Sequence, residues 1–227
     1  MLPREEIARA RVPGGEELVL VSHGRDFIIM LGRDELMSSR MQFSEEQLAE
    51  LTLERLGSPD DARLLIGGYG MGFTLRAALA KLGARGQAVV AEIVPEILDW
   101  ARGPMAAMTG NCLEDQRLRL EICDVAALID DAADGTTPHY DAILLDVDNG
   151  PDGIVRPDNQ RLYAFNGLRS AKAALNPGGI LAIWSAAPDP RFARRLEKAG
   201  FAVEERFVKA RPNNKGPRHT IWFARSG

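Results

Sequence analysis

Apolar residues run along the chain in two rhythms, and the change between them predicts the architecture. Near the start, Glu17-Leu18-Val19-Leu20-Val21 and Asp26-Phe27-Ile28-Ile29-Met30-Leu31 are β-rich runs parted by the turn-like Ser22-His23-Gly24-Arg25. This pattern predicts a β-hairpin. Ser44, followed by Glu45, Glu46 and Gln47, has the form of a helix capping box. Leu48, Leu51 and Leu56 suit one face of an amphipathic helix, and Gly57-Ser58-Pro59-Asp60-Asp61 ends it.

Beyond that break, short apolar runs alternate with helical patterns, as repeated βα units do. Strands are expected at residues 64–66, 88–93, 120–123, 142–145 and 179–184, all parallel and buried on both faces. Helices are expected over 71–83, 95–109, 125–131, 160–175 and 189–198. Residues 201–208 and 219–224 again have strand character, and the basic run 209–218 between them reads as a solvated loop. A closing hairpin adds an antiparallel pair to a parallel sheet, whereas a dinucleotide-binding domain more often continues with a further βα unit. The expected fold is therefore α/β and Rossmann-like, of the class I methyltransferase type. Its sheet is mostly parallel and seven-stranded with a C-terminal antiparallel hairpin. It occupies residues 44–227, after a small β-hairpin appendage over residues 1–43.

A chain of 227 residues is long enough for one sizeable core with such an appendage. With 28 Lys and Arg against 32 Asp and Glu the formal charge is −4, which gives no electrostatic reason to expect nucleic acid and suits a small or cationic substrate. The two cysteines, Cys112 and Cys123, are too few for a disulfide framework and lack zinc-ligand spacing, so no metal is expected. The start, Met1-Leu2-Pro3-Arg4-Glu5-Glu6, lacks a secretory pattern, and no run approaches the roughly 18 apolar residues of a membrane span. A cytoplasmic protein without membrane attachment is expected, and a homodimer is its expected assembly.

The candidate chemistry lies at the carboxyl ends of the expected strands, where open α/β sheets bind ligands. The first strand runs into Gly67-Gly68-Tyr69-Gly70-Met71-Gly72, a turn whose missing side chains let backbone approach a ligand. Such a turn also occurs without any ligand, or with a dinucleotide. Glu92 closes the second strand some twenty residues later, the place of a carboxylate that grips ribose hydroxyls. Asp124 follows the third strand and can receive an adenine amino group, cap the next helix, or do both.

The fourth strand ends in Leu145-Asp146-Val147-Asp148-Asn149-Gly150-Pro151-Asp152. Three acids within seven residues beside a glycine turn attract an amine or sulfonium cation, and Asp146 is placed to accept a proton. Asp152 reads as part of a solvated loop. Tyr69, Tyr163 and Trp184 fit either a pocket or the core, while His23 and His139 read as exposed and His219 as the start of the last strand.

On these residues the chain resembles the spermidine synthase (polyamine aminopropyltransferase) family, from the N-terminal hairpin to about residue 185. The resemblance implies an N-terminal β-rich piece before a class I methyltransferase-like domain. It places the family's Gly-Gly-Gly-Asp-Gly motif on Gly67-Gly68-Tyr69-Gly70-Met71, its ribose-binding acid on Glu92, its adenine-contacting Asp on Asp124 and its catalytic Asp on Asp146. Gly70 stands in place of the motif's Asp, Asn149 in place of the second loop Asp, and the family's Tyr-His pair has no counterpart in residues 38–45. The implied cofactor site is Gly67, Gly68, Tyr69, Gly70, Gly72, Glu92 and Asp124, for S-adenosylmethionine or its decarboxylated form. Asp148, Asn149 and Tyr163 are the expected substrate-binding residues around Asp146.

Three functions remain open: transfer of an aminopropyl group to an amine, methyl transfer from intact S-adenosylmethionine to a small molecule, and nucleoside binding without catalysis. No Asn-Pro-Pro-Tyr-like segment follows the fourth strand, which counts against methylation of a nucleobase amino group.

Overall fold

The computed structural model describes residues 3–58, 60–147, 149–151, 157–213 and 215–227. It begins with a four-stranded antiparallel meander, β1 (Glu5–Arg11), β2 (Glu17–His23), β3 (Asp26–Leu31) and β4 (Asp34–Ser38). The expected hairpin is its centre, with Leu20 opposite Ile29. The two outer strands escape an apolar reading because β1 is a charged edge, Glu-Glu-Ile-Ala-Arg-Ala-Arg, and edges are kept polar against unwanted pairing.

Helix α1 (Phe43–Leu56) follows a 3-10 turn over Ser39–Met41. Ser44 is not its cap. The 3-10 turn leads into the helix with Gln42 already in αR geometry, so Ser44 lies inside the first turn, buried, and shares a 2.8 Å hydrogen bond with His219 Nδ1. At the other end Gly57 closes the helix in the left-handed conformation (φ 73°) that glycine adopts most cheaply.

The α/β part then runs β5 (Arg63–Gly67), α2 (Phe73–Lys81), β6 (Gln87–Glu92), α3 (Pro95–Arg102), α4 (Ala106–Thr109), β7 (Leu118–Ile122), α5 (Val125–Ala133), β8 (Tyr140–Leu145), α6 (Gln160–Tyr163), α7 (Phe165–Ala173), β9 (Leu175–Ser185), α8 (Pro190–Lys198), β10 (Phe201–Arg211) and β11 (Lys215–Ser226). The sheet order is β10-β11-β9-β8-β5-β6-β7, parallel from β9 to β7, with β11 and β10 antiparallel. This is the class I methyltransferase-type sheet.

Its central strands read as unbroken apolar runs because both faces are covered. Leu64, Ile66, Val90 and Leu144 pack into one core with α1, α2 and α3, and Leu65, Val89, Ile143 and Leu145 into another with α5, α7 and α8. That division is the two-residue alternation of strand side chains. β7 departs from the expectation: it is the sheet edge, and Ile122 is 54% exposed.

Two expected helices are broken. Pro104 disfavours helical geometry at the preceding residue, and Gly103 (φ −99°, ψ −107°) parts α3 from α4. Ala164 is extended (φ −72°, ψ 157°) and parts α6 from α7, which folds back so closely that a Cβ on Gly167 would fall 2.0 Å from the Arg161 carbonyl oxygen. The basic run 209–218 is largely strand, since β10 and β11 extend through it as one long hairpin turning near Asn213 (φ 59°). Helix α1 lies across this hairpin, where the Arg55 guanidinium sits 4.0 Å from the Phe223 ring centroid and pairs with Glu204 at 2.8 Å. Among the described residues no helix is long and apolar enough to cross a membrane.

Candidate active site

The glycine turn is anchored on both neighbours of β5. Gly68 donates its amide to the Ala91 carbonyl on β6 at 2.9 Å, and the Asp146 amide at the end of β8 reaches the Gly67 carbonyl at 3.4 Å. Gly68, Gly70 and Gly72 have φ of 81°, 55° and 79°, a region costly for residues with a Cβ. Their uses differ. Gly68 and Gly70 line the cleft above the sheet, whereas Gly67 is required by packing, because a Cβ there would fall 2.9 Å from Leu145 Cδ2. Gly72 precedes α2 and lies against the Tyr69 ring, whose hydroxyl would be 2.6 Å from an added Cβ. Tyr69 itself is buried, its hydroxyl 3.5 Å from Cys112 Sγ, while its amide holds the turn.

Glu92 is the partner of that amide. It is 4% exposed and accepts the Tyr69 amide at 2.9 Å and the Val94 amide at 2.8 Å, one on each carboxylate oxygen. Burial pushes its carboxyl up, while backbone hydrogen bonds, that of Val94 foremost, pull it back down. The amides of Gly70 and Ile93 also favour its charged form, so the carboxylate ties the turn to the end of its strand. Asp124 does cap α5, accepting the Ala126 amide at 2.9 Å, and its other oxygen lies 3.0 Å from the Arg161 guanidinium. It also lines the cleft.

The cleft is a concave, mostly apolar hollow at the carboxyl ends of the strands, where open α/β sheets bind small molecules. Glu92 and Asp124 lie along it, Ile93, Val94 and Ile97 give it an apolar wall, and Asp146 stands at one end. Val12, Leu18, Leu36 and Met37 close it from the small sheet. It thus combines bare glycine backbone with two inner acids that can accept hydrogen bonds from a ligand.

Asp146 also lines a second cavity that shares Leu36, Met37, Gly68 and Gly70 with the first. Glu45, Thr74, Asn149 and Trp184 line it further on. Burial pushes the Asp146 carboxyl up to about 7 from an ordinary value near 3.8. The Glu45 carboxyl is also pushed well up, by burial first and then by the charges of Asp146 and Glu46. Behind the cavity, His219 meets Trp184 edge to face with ring centroids 4.7 Å apart, and burial lowers its pKa, favouring the neutral imidazole.

Of the expected site residues, Gly68, Tyr69, Gly70, Glu92, Asp124, Asp146 and Asn149 are brought to these cavities. Tyr163 is not among their lining residues: it is 2% exposed on the other side of the sheet, with its ring edge to face on Phe192 at 5.8 Å. Asp148 and Asp152 lie outside the described residues. Glu45, Met37 and Asn159 escape the sequence reading. An acid in the first turn of a helix is ordinary, so Glu45 carries no signal, and neither does Asn159 at the entry to α6. Trp184 carries one, because it ends a strand beside Asp146's own.

The Gly68→Val protein should fold with a distorted turn and bind methylthioadenosine at least tenfold more weakly by calorimetry, since valine strains a φ of 81° and fills the cleft floor. Full affinity in a folded variant would remove the turn from the site.

No family model matches the chain, and no curated protein matches it in sequence. In structure it is similar to spermidine synthase from Thermotoga maritima, at 18% identity and a TM-score of 0.74, over 98% of this chain and 73% of that one. It is likewise similar to a spermidine synthase in complex with the transition state analogue AdoDATO, at 17% identity and a TM-score of 0.73, over 98% and 72% of the respective chains. The fold thus defines a class I methyltransferase-type α/β protein. Within that class, its fold is similar to that of the spermidine synthase structures.

Proposed function

We propose that the protein is an alkyl transferase of the aminopropyltransferase kind, which takes a group from an adenosyl sulfonium compound and adds it to an amine. The observation that carries this reading is the position of Asp146 where the two cavities meet, with the glycine-floored cleft on one side and an acidic cavity on the other. The neighbour that holds AdoDATO supports an adenosyl ligand.

In this reading Glu92 accepts the ribose hydroxyls, Asp124 and Asn159 lie toward the base, and the backbone of Gly68 and Gly70 runs beside the sulfur end. A sulfonium donor supplies an alkyl carbon whose leaving group is a neutral thioether. The acceptor nitrogen forms the new C–N bond as the S–C bond breaks and its electron pair stays on sulfur, and the proton lost from nitrogen passes to the Asp146 carboxylate and on to water. An alkylammonium has a pKa near ~10, so an ordinary carboxylate is a poor base for it. At about 7, Asp146 stands some three units closer to the acceptor than at 3.8.

A second reading, methyl transfer from intact S-adenosylmethionine, is favoured by Gly70. There the spermidine synthase motif has an acid, while here a Cβ would meet only the Met37 thioether, at 3.1 Å. The two are separated by incubating the protein and 1,4-diaminobutane with each sulfonium compound and identifying the products by mass spectrometry. Aminopropylated product with methylthioadenosine is expected. Methylated product with S-adenosylhomocysteine would establish the second reading, and neither product would count against both for this acceptor.

A further inference from the structure

The far end of the β10–β11 hairpin carries a charge pattern that neither cavity uses. Thr220 pairs with Ser185, the final residue of β9, so residues 208–211 and 215–219 pair as strands only with each other and carry the hairpin past the carboxyl edge of the sheet. On this ribbon Lys209 stands directly opposite Arg218, and Arg211 opposite Lys215. No acid occurs among residues 206–227, and none of these four cations forms an ion pair with a described residue. Arg206, nearer the core, is by contrast matched by Glu204 at 2.6 Å. Like charges directly opposite each other destabilise a strand pair, and a bound anion relieves them. The chain's net charge of −4 conceals this patch, because attraction follows the local distribution of charge.

A second observation concerns an aromatic ring. Phe207 lies two residues before Lys209 and therefore on the same side of the strand, and it is 49% exposed. The Arg218 guanidinium sits 4.5 Å from its ring centroid. An acidic polypeptide would engage the cations and leave the ring idle. A single-stranded nucleic acid engages both, since its phosphates meet the cations and an unpaired base stacks on the ring. A duplex keeps the faces of its bases covered.

We propose that the outer half of the β10–β11 hairpin binds single-stranded nucleic acid, with Lys209, Arg211, Lys215 and Arg218 on successive phosphates and a base stacked on Phe207. This surface is separate from the cleft, and the proposal does not rest on the transferase reading. It assigns the cations affinity without sequence preference, because phosphate contacts carry no base identity.

The test is fluorescence anisotropy of a labelled oligothymidylate with the full chain over a range of salt concentrations. The parent should bind at low salt, and each cation on a phosphate should contribute about −0.7 to the slope of log affinity against log salt. The double variant Arg211→Gln, Lys215→Gln should bind more weakly, with a slope shallower by about 1.4. It should melt at or above the parent, since it removes one opposed pair of charges, and that separates lost binding from lost folding. Phe207→Ala should bind about 5- to 100-fold more weakly with the parent's slope, the loss of one stacked base. An unlabelled duplex or oligoglutamate of equal charge should displace the probe poorly. No binding by the parent at low salt, an unchanged slope in the folded double variant, or parental affinity in Phe207→Ala overturns the proposal. Displacement by oligoglutamate as effective as by unlabelled oligothymidylate overturns it in favour of an acidic polypeptide, and equally effective displacement by the duplex overturns the stacking of an unpaired base.

Discussion

Asp146→Asn is expected to lower turnover of an amine acceptor by roughly 10²–10⁴-fold, the range associated with losing a positioned general base. The amide keeps the size of the carboxyl, and Asp146 holds the glycine turn only through its backbone amide, so methylthioadenosine affinity should barely change. The same substitution should stabilise the protein at high pH, and the sign follows from the direction of the shift. The folded-state pKa is raised, to about 7 from 3.8, so folding disfavours the ionised form. Stability is therefore fully present below the ordinary carboxyl value and is lost as pH rises through about 7. Three units at about 1.4 kcal/mol each set an upper bound near ~4 kcal/mol. Coupling to Glu45 brings the difference below that bound. Thermal unfolding should show Asp146→Asn melting above the parent at pH 8 and level with it near pH 4. A variant with parental turnover would end the acid–base role, and one no more stable at pH 8 would end the electrostatic account of the site.

Glu92→Ala should lose more than a ligand contact. If two ribose hydroxyls bond to the carboxylate, each such bond contributes about 1.5–3 kcal/mol, enough to take methylthioadenosine binding down by two orders of magnitude or more. The substitution also leaves the amides of Tyr69 and Val94 without their acceptor, at a cost of about 1–3 kcal/mol for each that stays buried and unpaired. The variant should therefore melt below the parent even without nucleoside. Glu92→Gln retains one acceptor oxygen but turns an NH₂ group toward the other amide, so it should fall between the two. Parental nucleoside affinity in Glu92→Ala, measured by calorimetry at a temperature where the variant is folded, would show that this acid serves the turn alone.

The parts of the molecule legible in the sequence are those where one physical demand dominates. Residues 88–91 and 142–145 are buried on both faces, so only apolar side chains serve, and the run marks the strand. Gly57 and the glycines of the turn are visible because left-handed backbone leaves few alternatives. Reading fails where demands are mixed. β1 satisfies an edge as much as a sheet, and its Glu and Arg conceal it. Ser44 has the composition of a cap, yet its hydroxyl belongs to His219, 175 residues away in sequence. Glu45 is ordinary for a helix start, and only the arrival of β8 opposite it makes it part of a site. Tyr163 fits the chemistry expected near Asp146, but the break at Ala164 and the packing on Phe192 turn it to the other core. The central strands announced themselves locally; the second cavity is a product of tertiary folding.

The cleft is walled by both sheets, since Leu36 and Met37 on β4 line both cavities while Glu92 and Asp146 belong to the large sheet. An occupant therefore touches two separately hydrogen-bonded structures at once. Small sheets at a chain terminus detach by local opening at less than the free energy of global unfolding, and here such detachment and vacating the cleft become one event. Whatever fills the cleft raises the threshold for opening β3 and β4 by an amount that grows with the ratio of its concentration to its Kd, so amide exchange in those strands should slow with occupancy even though most of their backbone lies away from the ligand.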